Sequence, residues 1–320
     1  MTPGVSIVIP VFNEEAVLPA LFQRLYAALD ALGERYEVIF VDDGSTDRST
    51  QLLAAQFRRR PDVTRVVLFN GNFGQHMAIM AGFAHVRGDA TITLDADLQN
   101  PPEEIPRLLA ALRAGHDYVG TIRRQRHDTA FRRTASRLMN GLRERITRIR
   151  MTDQGCMMRA YDRTLIETLN SCREANTFVP ALAYSFAAAP TEIEIGHEAR
   201  FAGDSKYSLY RLIRLNFDLV TGFSIVPLQW FSLIGIVLSL LSGGLFVLLV
   251  VRRFLFGAEV EGVFTLFALQ FFLSGIVLFG VGLMGEYVGR IQQEVRARPR
   301  YRISAVLESK AAERSEEIAA

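Results

Sequence analysis

Two long stretches in the second half of the chain contain no ionisable side chain, and they limit the possible folds more than any other feature. Residues 219–251 and 262–285 lack Asp, Glu, Lys, Arg and His throughout. Each exceeds the ~20 apolar residues that a helix needs to cross a bilayer core. We therefore predict membrane-spanning helices near Leu228–Val251 and Phe264–Met284, joined as a hairpin by the link Arg252–Glu261. The alternative, a helix pair buried in a soluble core, would usually carry a polar stripe.

The basic residues around the hairpin predict its orientation. Two arginines, Arg252 and Arg253, lie in the link, whereas eight basic residues flank the two spans on their other side. Those eight are Lys206, Arg211, Arg214, Arg290, Arg296, Arg298, Arg300 and Arg302. Because cytoplasmic flanks carry the excess of Lys and Arg, we expect both termini in the cytoplasm. No basic region precedes the first apolar run, so we expect no signal peptide.

The chain divides into four predicted segments. Residues 1–204 form a globular domain, 205–226 an interfacial amphipathic helix, 227–286 the hairpin and 287–320 a cytoplasmic C-terminal tail. A further basic amphipathic helix is predicted over Thr129–Arg150, where seven arginines face one acidic residue. We expect this helix to contact membrane lipids. The alternative is that it packs on the sheet or on another subunit.

The first 120 residues alternate between apolar runs and amphipathic helical patterns. The predicted strands are Val5–Val11, Glu37–Val41, Arg65–Phe69, Ala90–Leu94 and Tyr118–Thr121. The predicted helices lie near Glu15–Ala31, Asp47–Arg59, Gln75–Val86 and Pro102–Ala114. This β-α-β-α order predicts an α/β fold with a mostly parallel sheet and helices on both faces. Ligands bind such sheets outside the carboxyl ends of the strands.

Polar side chains follow three of the predicted strands at the point where each strand ends. Asn13 and Glu14 follow the first strand, Asp42 and Asp43 end the second, and the run Asp95–Gln99 follows the fourth. Helix capping explains one such end more easily than three that converge on one edge. Within Asp95–Gln99, two carboxylates and an amide supply the hard oxygen ligands that Mg²⁺ and Mn²⁺ prefer.

Other classes of site are excluded by composition and motif. The chain has no G-x-G-x-x-G or G-x-x-x-x-G-K-[ST] sequence, so nothing indicates a dinucleotide fingerprint or a P-loop. Cys156 and Cys172 are its two cysteines, too few for a disulfide framework or a four-cysteine zinc site. The net charge of +2 gives no broad field for nucleic acid, and no nucleic-acid partner is expected.

Three motifs resemble the family 2 glycosyltransferases of the GT-A fold. They are Val8-Ile-Pro-Val-Phe-Asn-Glu-Glu15, Val41-Asp-Asp-Gly-Ser-Thr-Asp47 and Asp95-Ala-Asp-Leu-Gln-Asn-Pro-Pro-Glu103. The stretches 72–83, 153–161, 203–207 and 285–290, together with the hairpin, are similar to the narrower group of polyprenyl-phosphate glycosyltransferases. The resemblance extends from about Val5 to Tyr301.

This resemblance implies an enzyme that transfers a sugar from a UDP donor to undecaprenyl phosphate, with inversion, at the bacterial inner membrane. The sugar expected first is 4-deoxy-4-formamido-L-arabinose, used in lipid A modification and polymyxin resistance. Glucose, mannose or an N-acetylhexosamine remain alternatives. Two further alternatives are a membrane scaffold with an inactive nucleotide domain and a soluble nucleotidyltransferase. The family also implies a homo-oligomer and a divalent cofactor, Mg²⁺ or Mn²⁺.

The resemblance also implies roles for individual residues. The nucleotide pocket would be lined by Pro10, Asn13, Glu14, Asp42, Asp43, Asp95 and Ala96. The metal would be held by Asp97 and Gln99, with Asp95 beside them. The reaction itself would depend on Asp97, Asp153, Arg123, Arg200 and Lys206. Of these, Arg123, Arg200 and Lys206 would face phosphate groups, and Asp153 would lie near the sugar, either to position it or as a base. A snorkelling lysine of the interfacial helix is the alternative for Lys206. We expect His76 and His197 to be structural.

Overall fold

The computed structural model describes residues 3–123, 151–153, 155–172, 178–198, 226–256, 263–296 and 299–309. The chain forms two compact units. Among the described residues, the first unit contains a sheet with its helices, and the second contains two long helices.

The first unit is built on an eight-stranded sheet. The strands are β1 (Val5–Val11), β2 (Tyr36–Asp42), β3 (Thr64–Phe69), β4 (Ala90–Thr93), β5 (Tyr118–Arg123), β6 (Arg159–Asp162), β7 (Pro190–Ile195) and β8 (Ile303–Leu307). Their order in the sheet is β7-β5-β6-β4-β1-β2-β3-β8. The pairs β1–β2, β1–β4, β2–β3 and β5–β7 are parallel, whereas β6 and β8 run antiparallel to their neighbours. The chain therefore reverses its direction of growth between β1 and β4, which is where α/β sheets open a ligand crevice.

Helices connect these strands and cover the sheet. They are α1 (Leu18–Asp30), α2 (Ser49–Arg59), α3 (Gln75–Phe83), a 3₁₀ turn (Pro102–Glu104), α4 (Ile105–Arg113), α5 (Arg163–Ser171) and α6 (Val179–Phe186). Successive side chains of a strand point to opposite faces. Ile7 and Ile9 of β1 accordingly join one fully buried core with Leu21 and Leu25 of α1. This core fixes the position of the β1 carboxyl end, where the first polar turn begins.

The five strands predicted from the sequence are confirmed within one or two residues at each end. α1 begins at Leu18 rather than Glu15, because Pro19 suits the first helical turn and the preceding residues form a turn. α3 ends at Phe83, three residues earlier than predicted.

The sequence did not predict β6, β7 or β8, nor the helices α5 and α6. β8 lies inside the segment predicted as a C-terminal tail, yet it pairs antiparallel with β3. Length alone is not the reason, since β4 also has four residues; β6 and β7 include charged residues, which leaves no continuous apolar run in either. The sheet is therefore mostly parallel, with β6 antiparallel inside it and β8 antiparallel at one edge.

The second unit contains α7 (Val226–Phe256) and α8 (Val263–Val295). The helices touch where Phe231 lies against Phe279, with 6.2 Å between ring centroids. A Cβ on Gly280 would approach the Phe231 ring to 1.9 Å, so only glycine permits this contact. Large apolar side chains remain exposed on both helices, including Phe254 (87% exposed) and Phe271 (74%).

Both long helices predicted from the charge-free stretches are present. Where their side chains are described, one segment, Gln270–Gly289, is long and apolar enough to cross a membrane, and α7 contributes the shorter stretch Leu228–Leu238. A hairpin with two spans therefore remains a prediction. The predicted helix over Thr129–Arg150 and most of the predicted interfacial helix over 205–226 lie outside the described residues.

Candidate active site

Hydrogen bonds join the turns after β1 and β2. Asn13 has a left-handed backbone conformation (φ 55°), which Asn tolerates better than most residues. Its N–H donates to Ser45 Oγ at 3.0 Å, and its side-chain oxygen accepts from the Thr46 N–H at 2.8 Å. The N–H of Glu14 donates to Ser49 Oγ at 2.9 Å. Asn13 and Glu14 therefore lie beside the turn that carries the next acidic pair.

The acidic pair after β2 is buried and fully engaged by the protein. Asp42 accepts a hydrogen bond from the Ser45 N–H at 3.0 Å. Asp43 accepts from the N–H groups of Phe73 and Gly74 at 2.6 and 2.9 Å. Burial raises the pKa of Asp43, and these two backbone donors oppose that effect. Asp43 thus fixes the loop that begins α3, in addition to any contact with a ligand.

Gly44 makes this arrangement possible. It has φ +72°, and a Cβ there would lie 2.4 Å from the carbonyl carbon of Gly71. A side chain at position 44 would therefore separate the β2 turn from the loop that Asp43 holds.

The second acidic pair follows β4 and contacts α3. Asp95 accepts a hydrogen bond from Gln75 Nε2 at 2.6 Å, and Asp97 accepts from the Gln99 N–H at 3.1 Å. Leu98, between Asp97 and Gln99, has a left-handed backbone conformation (φ 59°). Burial, together with the charge of Asp97, raises the pKa of Asp95 to about 7. The state in which both carboxylates are ionised is therefore unfavourable.

The residues at this position fit a divalent cation. A cation would offset the repulsion between Asp95 and Asp97, and the Gln99 side chain offers a further oxygen. Within the described residues no group of three or more His, Cys, Asp or Glu side chains converges. Two carboxylates would suit Mg²⁺ or Mn²⁺, which commonly bind through one or two carboxylates plus substrate phosphates.

Arg123, the last residue of β5, forms an ion pair with the buried Asp153. Arg123 Nε and Nη2 donate to the two oxygens of Asp153 at 2.6 and 2.8 Å, and the Asp153 side chain is 3% exposed. This bond to Asp153 raises the pKa of Arg123, whose charge also acts on Asp95. The two residues were predicted to have separate roles, whereas the structure makes them one bidentate unit.

The structure brings most of the predicted residues to one edge of the sheet. Pro10 lies half-buried in β1, Ala96 is buried between the two aspartates, and α3 links Asp43 to Asp95 through its first turn. Arg200 and Lys206 lie outside the described residues.

Two residues of this edge were missed. Gln75 and Arg159 lie in the stretches 72–83 and 153–161, which resemble the narrower family. That resemblance was the only feature of the sequence that could have pointed to them.

Two cavities of about 530 and 510 Å³ lie along α1. The first is lined by Phe22, Tyr26 and Leu52 among others, and the second by Arg24 and Glu103 among others. Neither is lined by a predicted site residue. The acidic edge therefore remains the candidate active site on chemistry rather than on cavity size.

Comparison with known proteins agrees with this position of the site. Residues 6–169, which include both acidic pairs, match the sequence profile of Glycosyl transferase family 2. The chain belongs to that family. It is a glycosyltransferase, and its first unit is the GT-A-like, mostly parallel α/β domain that the sequence predicted.

Similar proteins extend along nearly the whole chain. One from Edwardsiella ictaluri is 52% identical over 305 residues, which cover 95% of this chain and 94% of that protein. One from Yersinia enterocolitica is 51% identical over 316 residues, which cover 98% and 97%. Both are named undecaprenyl-phosphate 4-deoxy-4-formamido-L-arabinose transferase. A solved structure of glucosyl-3-phosphoglycerate synthase from Mycobacterium tuberculosis is 19% identical, with a TM-score of 0.48, and covers 68% of this chain and 78% of that one.

Proposed function

We propose that this family 2 glycosyltransferase transfers 4-deoxy-4-formamido-L-arabinose from its UDP donor to undecaprenyl phosphate, with inversion of the anomeric centre. The observation that carries the proposal is identity of about half of all residues, over nearly the full length of both chains, to transferases with that name. The match includes the long apolar helices as well as the acidic edge. It supports the lipid acceptor as well as the sugar donor.

The acidic edge is where we place the donor. Asn13, Glu14 and Asp42, with Pro10, Asp43 and Ala96, would surround the nucleotide. Asp97, Gln99 and Asp95 would hold Mg²⁺ or Mn²⁺ on the diphosphate. Such a cation stabilises the charge that develops on departing UDP. The raised pKa of Asp95 supports this placement, because a bound cation would offset the burial and the charge of Asp97 that raise it.

The acceptor is an anion that must approach another anion. A phosphate monoester is largely dianionic at pH 7, because its second pKa is near 6, so it needs little help from a general base. It does need cations that reduce its repulsion from the diphosphate. We assign this role to Arg123, Arg200 and Lys206. Because both oxygens of Asp153 accept from Arg123, we favour a positioning role for Asp153 over that of a base.

The acceptor also requires a membrane. Exposed apolar side chains on α7 and α8, and the apolar segment Gln270–Gly289, support anchoring in the bacterial inner membrane. We propose that the catalytic domain faces the cytoplasm, that residues 205–226 lie at the interface with membrane lipids, and that the protein forms homo-oligomers.

The proposal is tested with the purified full-length protein in detergent, undecaprenyl phosphate and radiolabelled UDP-sugars. We expect transfer of the formamido sugar in the presence of Mg²⁺ or Mn²⁺ and loss of transfer with EDTA. Asp97→Asn should lower turnover by about 100-fold or more, since it removes a charged metal ligand. The control Asp62→Asn changes a carboxylate that is 67% exposed and should leave turnover unchanged.

The different UDP-sugars in this assay distinguish the proposed donor from the alternative donors and from a scaffold. Transfer of glucose, mannose or an N-acetylhexosamine, but not of the formamido sugar, would replace the proposed donor. No transfer from any donor, in a protein that still folds, would favour a scaffold.

A further inference from the structure

A fully buried guanidinium lies directly behind the proposed site. Arg159, at the start of β6, is 0% exposed. It donates from Nε to the Cys156 carbonyl at 2.9 Å, from Nη2 to the Asp153 carbonyl at 2.7 Å and from Nη1 to the Tyr118 hydroxyl. Within the described part of the chain, its hydrogen-bond partners are all neutral.

Burial of a cation without a bonded carboxylate is costly, so a fold that retains one requires a reason. Each of its three guanidinium nitrogens has its own oxygen acceptor, and Nη1 also contacts Met151 Sδ at 3.8 Å. Arginine matches that arrangement because its five N–H donors form a rigid fork, whereas lysine has a single ammonium group on a flexible stem. Cation–ring contact with Tyr118, at 5.8 Å from the ring centroid, adds a further restraint.

The carbonyls that Arg159 binds belong to the short segment that carries Asp153. One is that of Asp153 itself and the other is that of Cys156, so the guanidinium holds both carbonyls at once. The preceding residue is held separately, because the Thr152 N–H donates to the carboxylate of Glu192 on β7 at 2.9 Å. Arg123 then engages the Asp153 side chain. Three strands thus fix the backbone and the side chain of one aspartate.

Arg159 is also close to the rest of the acidic edge. Its charge acts on Asp95 and on His76, although no described hydrogen bond joins it to either residue. It is therefore placed to affect the site without touching a ligand, since it has no exposed surface.

We propose that Arg159, supported by Tyr118, is a positioning residue for sugar transfer. It fixes the backbone carbonyls of Asp153 and Cys156 so that the Asp153–Arg123 pair is aligned with the reacting sugar and phosphate. This inference rests on the proposed function, because the alignment matters only for that reaction. Misalignment of a bound substrate should lower turnover but leave the affinity for the donor largely unchanged, because the proposed nucleotide contacts follow β1, β2 and β4.

The test is a double-mutant cycle between Arg159→Lys and Asp153→Asn in the full-length protein. Arg159→Lys alone should lower kcat by about 10- to 100-fold and change the KM for the UDP-sugar by less than about twofold. In the Asp153→Asn background, Arg159→Lys should lower kcat by less than about twofold further, because it acts through Asp153. Losses that multiply in the double variant would overturn the inference.

Two further variants separate positioning from stability. Tyr118→Phe removes one acceptor of Arg159 and should give a smaller loss of kcat, about three- to tenfold, even if Arg159→Lys does not fold. Arg65→Lys changes a guanidinium of similar burial that binds Glu308 and Glu37. It should lower the melting temperature without a change in kcat, and an equal loss of kcat would contradict the positioning role.

Hydrogen exchange gives a readout that does not depend on turnover. In Arg159→Lys or Tyr118→Phe, the amides of Asp153, Gly155 and Cys156 should exchange faster while those of β1 and β2 do not. Unchanged exchange at those three amides would overturn the inference. Failure of the wild-type protein to transfer sugar would instead defeat the proposed function.

Discussion

At the scale of single residues, His76 shows how burial sets the charge of a side chain beside the acidic edge. Its ring packs against Phe178 with 4.9 Å between centroids, and Nδ1 has no hydrogen-bond partner within the described residues. Burial, and to a lesser extent the charge of Arg159, lower the pKa of His76 to about 4. His76 is therefore neutral in the folded protein at physiological pH, which agrees with the structural role predicted for it.

This shift predicts a pH dependence of stability. A histidine in the unfolded chain titrates near pH 6.5, whereas His76 in the folded chain titrates near pH 4. Between these two pH values the unfolded chain binds one more proton, which favours unfolding as the pH falls. The wild-type protein should lose stability relative to His76→Gln as the pH falls from about 6.5 toward 4. Thermal unfolding of both proteins between pH 8 and 4.5 measures the difference. A difference in melting temperature that stays constant over this range would contradict the shift.

The acidic residues of the site could be predicted from the sequence, because the ends of parallel strands share one edge. Asp42, Asp95 and Asp97 all follow apolar runs that are recognisable as strands. The partners of Asp153 could not be predicted in this way. Its ion pair with Arg123 spans 30 positions, and its contact with Arg159 depends on the antiparallel strand β6.

At the scale of elements, the outer strand β8 is held by charge as well as by pairing with β3. Glu308 follows β8 and accepts from Arg65 at 2.9 Å and from Arg87 at 3.4 Å. Arg65 is 6% exposed at its side chain, so removal of Glu308 would take the nearer carboxylate from a largely buried cation that also contacts Glu37, at 3.7 Å, and the His85 carbonyl. Loss of one partner of a buried pair is strongly destabilising.

Glu308→Ala should therefore lower the free energy of unfolding by about 2–3 kcal/mol, in keeping with one lost partner of a partly compensated buried pair. The control Glu167→Ala breaks an exposed pair with Arg163 and should cost less than about 0.5 kcal/mol. Thermal unfolding of the full-length variants in detergent compares the two. Equal shifts in melting temperature would show that β8 is held by its backbone pairing alone.

The elements that could be predicted differ from those that could not in the continuity of their apolar runs and in their neighbours. β1 and β2 are seven-residue strands buried almost throughout, so their apolar runs are continuous. β6 and β7 include charged residues, and β7 is mostly half-buried, which leaves a weak pattern in each. β8 follows the long helices, and its place beside β3 is a contact across more than 230 positions that no local pattern carries.

At the scale of the whole molecule, the two units need different surroundings. The first buries a continuous apolar core and contains ion pairs such as Arg24–Glu103 and Arg65–Glu308. The second leaves large apolar side chains such as Leu240, Phe254 and Phe271 exposed along two helices of more than 30 residues. Exposed apolar surface of that extent is stable in lipid or against a partner. The donor proposed for the first unit is a water-soluble anion, and the acceptor proposed for the reaction is a lipid.

These requirements predict an orientation that can be measured. A UDP-sugar does not cross a bilayer unaided, so we expect the acidic edge to face the cytoplasm, and two spans would return the chain to the same side. In a chain without Cys156 and Cys172, Gly257→Cys, in the link between α7 and α8, should react with a membrane-impermeant maleimide in intact cells. Ser309→Cys should react only after the cells are opened. The excess of Lys and Arg outside the link requires this result. Labelling of Ser309→Cys from outside would place the catalytic domain where no UDP-sugar is available, and equal labelling of both positions would exclude a hairpin.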